Sequence, residues 1–275
     1  HLSCLSYSYN HNDKKAYIYD SQATTVVLAG REFSSFLESS LSTLKLALGT
    51  LEGTKGVITN NTRETLKFFV ENQKSILGIE AYSLNSSSNA SSKPGELLYR
   101  HFIPGAVTAD NSNRLFGKIT GDAELKAELT GRGFALVSFV EDFTNPLLAI
   151  GLSSGRDSSI LLVGFLDLKP FIAGSATSFN QFLIAKKDGT VLFNSNTDHW
   201  KQNPNFLSDP IFQTASTTSM NSGATEYFAK NNTRMLGSFY KPGLDIIALS
   251  LIEYNKAMSA TYALTEKFIT LAIGA

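Results

Sequence analysis

The chain has 275 residues, which is long enough to bury the core of one large domain or of two smaller ones. Of these residues, 43% are hydrophobic and 17% are charged. Its 24 basic residues balance its 24 acidic residues and no run of five basic residues occurs, which argues against a binder of nucleic-acid backbones. The single cysteine, Cys4, cannot form a disulfide within the chain, which argues against a small disulfide-stapled module.

The first predicted element is a long helix over residues 21–52. Apolar residues recur there at alternating steps near three and four, the period of a helix with one apolar side. About 30 residues with a rise of about 1.5 Å each predict a rod of roughly 45 Å. The glycines of GTKG, residues 53–56, are expected to end it. The residues that form the apolar side are Val26, Ala29, Phe33, Phe36 or Leu37, Leu41, Leu44, Leu48 and Leu51.

A shorter helix is predicted over residues 62–74. Asn61 can serve as its N-cap, and Glu64 falls where a capping box places its carboxylate. Two β-type runs, 75–84 and 96–103, then flank a stretch rich in Ser and Asn. This pattern predicts a hairpin with a long loop.

Three strand-like runs follow a mostly helical stretch at 113–131 that ends at Gly131. They span residues 133–142, 146–154 and 158–168, and short polar turns separate them. A brief helical link comes next. Together with the preceding hairpin, these runs complete a first set of five strands.

A second set of strands begins with FLIAKKDGTVLFNSN, residues 182–196. Asp188-Gly189 lies between two apolar runs, a strong hairpin signal because glycine adopts positive φ without steric cost. A loop and a helix around 197–220 follow, and a helical stretch ends the chain. The three remaining strand-like runs are 224–230, 233–241 and 244–253, the first two joined at Asn231-Asn232.

The predicted elements therefore repeat one plan twice after the long helix: a strand pair, a helix and three strands. Clusters of strands divided by helices favour an antiparallel α+β fold over parallel crossovers. No stretch of 18 apolar residues occurs. An apolar run begins at Phe268 and is cut off at Ala275, which is typical either of a piece of a longer protein or of a final amphipathic helix.

Four motifs, taken in their order and spacing, resemble the double-Cache domain, the extracytoplasmic sensor of bacterial chemoreceptors, histidine kinases and cyclases. The first is the long amphipathic helix before the first strand. ALVSFVEDFTNPLLAIGLSS with SSILLVGFLDLKPF is similar to the closing strands of that family's first module. FLIAKKDGTVLFNSN is similar to the opening of its second module, and LDIIALSLIEYNKA to its final strand and exit helix.

The resemblance covers nearly the whole chain and implies a long N-terminal helix followed by two PAS-like modules, each with a roughly five-stranded antiparallel sheet. The implied segments are an N-terminal segment with the stalk helix at 1–54, a membrane-distal module at 55–170, a membrane-proximal module at 171–250 and a C-terminal helix toward the membrane at 251–275. In this family the distal module usually holds the small-molecule ligand. Both chain ends would point toward the membrane.

The amino-acid-binding branch of the family carries an Arg-x-Trp-Tyr element on the distal helix, a later Tyr, and an Asp after the fifth strand. In this chain Arg114, Leu115 and Phe116 stand on that helix instead, and the only tryptophan, Trp200, lies in the proximal module. Asp167 occupies the matching acidic position. The implied ligand class is therefore left open among amines, amino acids and carboxylates.

Two charged residues are the strongest candidates for contacting a ligand in the distal module. Asp167 would pair with a ligand ammonium, because an unpaired buried carboxylate is costly; alternatively, it caps the helical link near Pro170. Arg100 would clamp a carboxylate through two hydrogen bonds; alternatively, it is a solvated charge at a sheet edge. Further candidates for the same cavity, most of them equally ordinary as strand residues, are Tyr82, Tyr99, Ser138 and Glu141, with Arg114 on the distal helix.

Signals for catalysis and for cofactors are weak. The four histidines are scattered and form no metal-ligand spacing. GLSSG, residues 151–155, matches G-x-S-x-G around Ser153, but that motif needs a strand-to-helix turn in a parallel sheet, and strand-like runs flank it here. No P-loop and no dinucleotide-binding glycine motif occurs. We therefore expect no catalytic residue, no metal and no cofactor.

The sequence thus predicts a ligand-sensing periplasmic or extracellular domain of a bacterial membrane receptor, anchored through flanking helices. A small molecule in the distal module would be its ligand, and it would have no enzymatic activity. The heptad-like stripe of the long helix favours a homodimer, although packing onto the chain's own modules explains the stripe equally well. The alternative is a sensor module that docks a periplasmic protein or a cell-wall component, and a secreted enzyme is a third hypothesis.

Overall fold

The computed structural model of the chain describes residues 2–84, 95–107, 109–139, 147–153, 159–175 and 180–260. Its contacts divide the chain into two compact units. We call Ser35–Pro170 the first module, and His1–Ser34 together with Phe171–Ala275 the second module. The apolar run at the end of the chain lies outside the described residues, as does the candidate residue Glu141.

The described helices and strands follow the predicted order. The helices are α1 (Leu2–Gly53), α2 (Asn60–Asn72), α3 (Ala109–Gly121), α4 (Ala123–Arg132), α5 (Lys169–Ser175), α6 (Thr197–Gln202) and α7 (Pro210–Thr217). The strands are β1 (Ile76–Ser83), β2 (Leu97–Phe102), β3 (Phe134–Phe139), β4 (Leu147–Ser153), β5 (Ile160–Asp167), β6 (Gln181–Lys186), β7 (Val191–Asn194), β8 (Ser222–Phe228), β9 (Arg234–Gly243) and β10 (Ile246–Glu253).

Each module contains one five-stranded antiparallel sheet, and the two sheets share one strand order. The order is β2-β1-β5-β4-β3 in the first module and β7-β6-β10-β9-β8 in the second. β1 and β6 therefore occupy the same place in their sheets, each paired with a short neighbour and with the last strand of its set. The predicted α+β class, with a long N-terminal helix and two five-stranded antiparallel sheets, is confirmed.

Helix α1 contributes buried side chains to both modules. In the second module, the Phe33 ring lies 4.9 Å from the ring of Phe171 and 5.9 Å from that of Phe193. In the first module, Leu44 packs onto Gly164 of β5, where an added Cβ would lie 2.4 Å from the leucine. The absent glycine side chain therefore makes room for the helix. Within the described parts of the chain, no helix has both the length and the apolar character needed to cross a bilayer.

Two helix starts differ from the prediction. Helix α1 begins at Leu2 instead of near residue 21, and Ile18 extends its apolar side by packing into a buried cluster of the second module. Helix α2 begins at Asn60, and Thr59 rather than Asn61 is its N-cap. The Thr59 hydroxyl accepts a hydrogen bond from the Thr62 backbone N–H at 3.2 Å.

The helical stretch predicted to end at Gly131 consists of two helices, α3 and α4. Asp122 lies between them and caps α4, its carboxylate accepting the Glu124 backbone N–H at 2.9 Å. The helical stretch ends one residue before Gly133, whose φ of 81° is a left-handed conformation. The predicted end at Gly131 is therefore wrong, because Gly133 supplies the C-cap.

The two predicted tight turns are confirmed. The Asp188-Gly189 dipeptide lies in the turn that connects β6 to β7, and Gly189 has a φ of 86° there. Asn232 has a φ of 61° in the turn between β8 and β9, where the Asn231 side chain accepts a hydrogen bond from the Thr233 backbone N–H at 3.1 Å.

Candidate ligand site on the first sheet

Alternate side chains of the first sheet lie on its two faces. One face packs against α1 and α2: Leu44 lies on Gly164, and the Arg63 guanidinium lies 5.9 Å from the centre of the Tyr99 ring. We call the other face the α3 face because residues of α3 cover it. On β1 and β2 the α3 face carries Gly78, Glu80, Tyr82, Arg100 and Phe102.

Most of the α3 face is a packed apolar core. Leu115 and Ile119 of α3 are buried in one cluster with Ala135 of β3 and Ala149 of β4. Gly151 of β4 lies under Ile119, at a spacing that leaves only 3.3 Å for an added Cβ. The polar side chains of this face lie instead at its β1–β2 side.

Four side chains meet there through hydrogen bonds. The Arg100 Nε donates to Glu80 Oε1 at 2.9 Å, and the Arg100 Nη2 donates to the Ser112 Oγ of α3 at 3.0 Å. The Tyr82 hydroxyl donates to Glu80 Oε2 and lies 3.5 Å from the Ser112 Oγ. We call Glu80, Tyr82, Arg100 and Ser112 the Glu80 cluster.

The backbone register explains why these residues meet. Glu80 and Arg100 are direct partners across the antiparallel pair of β1 and β2. Tyr82 lies two residues beyond Glu80 on the same strand and therefore on the same face. Ser112 reaches them from the first half of α3, so the cluster joins two strands to one helix.

The Glu80 side chain is sealed from solvent, whereas the Arg100 side chain is not. Glu80 is 1% exposed and Arg100 30% exposed. A carboxylate so deeply buried needs a cation and hydrogen-bond donors, and Arg100 and Tyr82 supply them. Glu80 and Ser112 accept the Arg100 Nε–H and an Nη2–H, and the exposed part of the guanidinium is open to a further partner from solvent.

Burial determines the protonation of Tyr82. Desolvation, followed by the hydrogen bond to Glu80, raises the pKa of Tyr82 to about 12. Its hydroxyl therefore stays protonated at neutral pH and donates to the carboxylate.

Aromatic rings surround the cluster. The Tyr82 ring lies 4.2 Å from that of Phe116 on α3, and the Phe102 ring contacts that of Phe165 edge to face at 5.4 Å. The Arg100 guanidinium lies 5.8 Å from the centre of the Phe102 ring. The arrangement offers opposite charges on neighbouring strands beside aromatic surfaces, which suits a small molecule with both polar and apolar parts.

The second module has a different, uncharged pair at the corresponding place, where Leu183 of β6 lies opposite Asn194 of β7. Leu183 of β6 is fully buried and pairs with Leu249 of β10. Helix α7 covers this face of the second sheet, since its Ile211 lies 2.8 Å from a Cβ added at Gly237 of β9. The same strand order therefore packs without a buried ion pair at this place, so the topology alone does not require Glu80 and Arg100.

The structure brings together two of the residues singled out in the sequence, Arg100 and Tyr82. Tyr99 and Ser138 lie on the opposite face. Each is next in sequence to a residue whose side chain lies on the α3 face, and successive side chains of a strand point to opposite faces. Burial raises the pKa of Tyr99, and Arg63 beside it opposes that rise. Neither Tyr99 nor Ser138 belongs to the Glu80 cluster.

The two other candidates in the described residues lie apart from the cluster. The Asp167 Oδ1 accepts the backbone N–H of Lys169 at 3.0 Å, at the start of α5. This geometry is the capping role considered as its alternative. Arg114 lies on the exposed side of α3.

Glu80 and Ser112 were not singled out in the sequence. The signal for Glu80 was available: it is the one charged residue in the apolar run SILGIEAYSL, and it alternates with buried Ile79 and Ala81. No local signal distinguishes Ser112 from the other serines of this Ser-rich chain. Only the fold brings it to Arg100.

The G-x-S-x-G match does not have the context of a nucleophile elbow in the described residues. Ser153 is the last residue of β4, which pairs in antiparallel fashion with β3 and β5. An elbow requires a turn from a strand of a parallel sheet into a helix.

Comparison with known proteins places the fold among sensory domains. No protein-family model matches the sequence, and no curated protein matches it. The periplasmic sensory domain of the Campylobacter jejuni chemoreceptor Tlp1 superposes with a TM-score of 0.62 at 10% identity, over 89% of this chain and 98% of that one. The similarity in fold to sensory domains that the sequence motifs indicate is thereby confirmed.

Two further structures share the fold. The extracellular domain of soHK1S-Z6, named as a histidine kinase, has a TM-score of 0.58 at 12% identity, over 91% of this chain and 99% of that one. The ligand-binding domain of the C. jejuni chemoreceptor Tlp3, in complex with L-norvaline, has a TM-score of 0.54 at 11% identity, over 89% and 93%. The fold is therefore shared by domains of more than one receptor type.

Proposed function

We propose that the chain is the extracytoplasmic ligand-sensing domain of a bacterial transmembrane receptor, and that its ligand binds at the Glu80 cluster. The observation that carries this proposal is the pair of the buried Glu80 with Arg100, where the second module has the uncharged pair Leu183 and Asn194. Removing two charges from water is costly, and apolar side chains of similar volume avoid that cost. Retention of such a pair supports a role in binding. The likeness in fold to the Tlp1 sensory domain supports the sensory part of the proposal.

The charges of the cluster favour a zwitterionic ligand. The planar fork of the partly exposed Arg100 guanidinium matches the two oxygens of a carboxylate. The faces of the Tyr82 and Phe116 rings favour an ammonium group, to which the enclosed Glu80 contributes negative charge without contact. An amino acid carries both groups, and the Tlp3 domain is in complex with one, L-norvaline. We therefore place amino acids first, ahead of simple amines and simple carboxylates.

Binding would compete with the contacts inside the cluster. A ligand carboxylate at Arg100 weakens the hold of the guanidinium on Ser112, and Ser112 belongs to α3. The position of α3 against β2 then depends on whether the ligand is bound. The size of this shift is limited by the ligand's preference for one arrangement over the other.

The membrane topology is part of the proposal. The first module, with residues 55–170, would be the membrane-distal one, and the second, with residues 171–250, the membrane-proximal one. Flanking helices would anchor the receptor. The change of compact unit between Pro170 and Phe171 supports the boundary between the modules. The domain would then lie in the periplasm or outside the cell, without enzymatic activity.

A homodimer along α1 is also proposed. Tyr17, Leu28 and Leu46 are 66%, 62% and 62% exposed. Their spacings are close to whole numbers of helical turns, so they share one side of the helix. Large apolar side chains on one exposed side favour a helical partner. Sedimentation equilibrium should show a dimer that Leu28→Glu dissociates, and a wild-type monomer at high concentration would contradict the dimer.

A thermal denaturation screen tests the ligand proposal. The chain is heated with α- and ω-amino acids, amines, carboxylates and purines, each in large excess. A ligand at about 100 times its Kd adds about 2.7 kcal/mol to the free energy of unfolding. In a domain of this size, the melting temperature rises by about 2–4 °C for each kcal/mol. We expect amino acids to raise the melting temperature by several degrees.

Matched variants locate the site. Arg100→Lys keeps the positive charge beside Glu80 but loses the planar fork, so it should reduce the shift by about half or more. Arg132→Lys is the control, because Arg132 forms a comparable pair with Glu128 at 3.0 Å in the same module. A shift in Arg100→Lys equal to that of wild type would place the ligand elsewhere. If none of the screened compounds raises the melting temperature, the docking of a periplasmic protein or a cell-wall component would be favoured.

A further inference from the structure

A second polar cluster, in the second module, centres on the His199 imidazole. Gln181 Nε2 lies 2.8 Å and Asn194 Nδ2 3.3 Å from His199 Nδ1. Gln181 is on β6, Asn194 is fully buried on β7, and His199 is on α6. The three side chains therefore attach α6 to the edge of the second sheet.

The orientation of both amides follows from one backbone N–H. The Asn196 N–H donates to Asn194 Oδ1 at 2.9 Å, so this atom is the oxygen and the Asn194 NH2 group points toward His199. Gln181 Nε2 lies 3.0 Å from the same oxygen, so it too must be a donor. Two NH2 groups thus converge on His199 Nδ1, which can only accept. The imidazole is therefore neutral, with its proton on Nε2.

We propose that His199 is a proton-binding site of the second module: the neutral imidazole attaches α6 to β6 and β7, and protonation at Nδ1 breaks this attachment. An N–H at Nδ1 would face two NH2 groups that have no lone pair to offer. The amides cannot reverse without losing the backbone hydrogen bond to Asn194. The chain thereby gains a response to acid that is separate from the ligand proposed for the Glu80 cluster.

The surroundings of His199 favour the neutral form. Burial lowers the pKa of His199, and the Asp209 carboxylate at the start of α7 opposes this with a smaller effect. Among the described strand residues, the two neutral amides of Gln181 and Asn194 contact the imidazole, and the Phe206 ring lies edge-on at 5.5 Å. The charged residues on α6 itself are Asp198 and Lys201.

The sign of the pH dependence follows from the lowered pKa. The unfolded chain binds the histidine proton more readily than the folded chain. The free energy of unfolding should therefore be at its full value above the ordinary histidine pKa of about 6.5 and should fall as the pH drops below it.

Trp200 provides a built-in probe for this step. It is the only tryptophan, follows His199 on α6, is 1% exposed, and lies with its ring 6.2 Å from that of Phe193. We expect its fluorescence to shift on acidification from pH 7.5 to 5.0. His199→Asn should remove this transition, because a carboxamide offers an acceptor near the Nδ1 position but does not titrate. His101→Asn, in the first module, is the control and should leave the transition unchanged.

Two results would overturn the proposal. One is the same acid transition in wild type and in His199→Asn. The other is an Nδ1–H tautomer at pH 7, read by ¹⁵N NMR of the histidine rings of the wild-type chain. The NMR measurement does not depend on the folding of any variant, and an Nε2–H tautomer that resists protonation below pH 6.5 would support the proposal.

Discussion

Arg100 and Glu80 face each other across β2 and β1, and the Arg100 Nε donates to Glu80 Oε1 at 2.9 Å. The pair is buried unequally: Glu80 is enclosed, while part of the Arg100 side chain reaches solvent. The carboxylate therefore fixes the guanidinium from within, and the outer N–H groups remain directed away from it. A recognition group held from behind by a buried partner is pre-organised for binding.

The unequal burial predicts different costs for breaking and for replacing the pair. Arg100→Ala leaves Glu80 buried without a cation and should lower the free energy of unfolding by about 3 kcal/mol. Glu80→Leu with Arg100→Leu should cost less than Arg100→Ala alone, because it leaves no unpaired charge, and the second module packs the uncharged Leu183 and Asn194 at the corresponding places. Urea denaturation measures both. A double variant at least as destabilised as the single one would show that the pair stabilises the fold.

The raised pKa of Tyr82 predicts that the fold loses stability at high pH. Burial and Glu80 raise the pKa of Tyr82 to about 12, above its value in the unfolded chain. Its contribution is therefore complete below about pH 10 and is lost as the pH rises toward 12. Urea denaturation between pH 8 and 11.5 should show a steeper decline for wild type than for Tyr82→Phe. Parallel curves would mean that Tyr82 ionises equally in both states.

The close packing around Gly78 predicts that one added methyl group beside the site lowers the stability of the fold. A Cβ there would lie 2.0 Å from Phe102 Cδ1 and 2.9 Å from the His101 backbone oxygen. Gly78→Ala must therefore displace the Phe102 ring, at a cost of about 1–3 kcal/mol. Gly49→Ala is the matched control, because Gly49 is an exposed residue of α1 and nothing lies within 4 Å of a Cβ added there. This substitution should raise the free energy of unfolding by about 0.5–1 kcal/mol. Equal melting temperatures for the two variants would refute this packing.

The fold was largely predictable because its signals are local. The Asp188-Gly189 turn and the strand clusters depend on neighbouring residues, and they recur as two sheets of one order. Helix ends were less predictable, because several polar residues compete for each cap. Thr59 caps α2, although Asn61 is also a suitable N-cap residue. Asp122 separates α3 from α4 in a stretch whose sequence pattern predicts one helix.

The candidate site was predictable only in part. Arg100 and Tyr82 were recognisable because polar or aromatic residues in apolar strands are candidates for a lining. Whether each residue faces α3 or α2 depends on strand register, and a shift of one residue reverses every side chain. Tyr99 and Ser138 illustrate this, since each immediately neighbours a residue of the α3 face. Ser112 required the tertiary fold.

Isothermal titration calorimetry of the strongest amino-acid binder is the most direct test of the central claim, that the Glu80 cluster is the ligand site. Wild type, Arg100→Lys and Arg132→Lys would be titrated under one set of conditions. Loss of the guanidinium fork should raise Kd at least about tenfold in Arg100→Lys, while Arg132→Lys should bind as wild type does. Equal affinity in wild type and Arg100→Lys would contradict the assignment of the site.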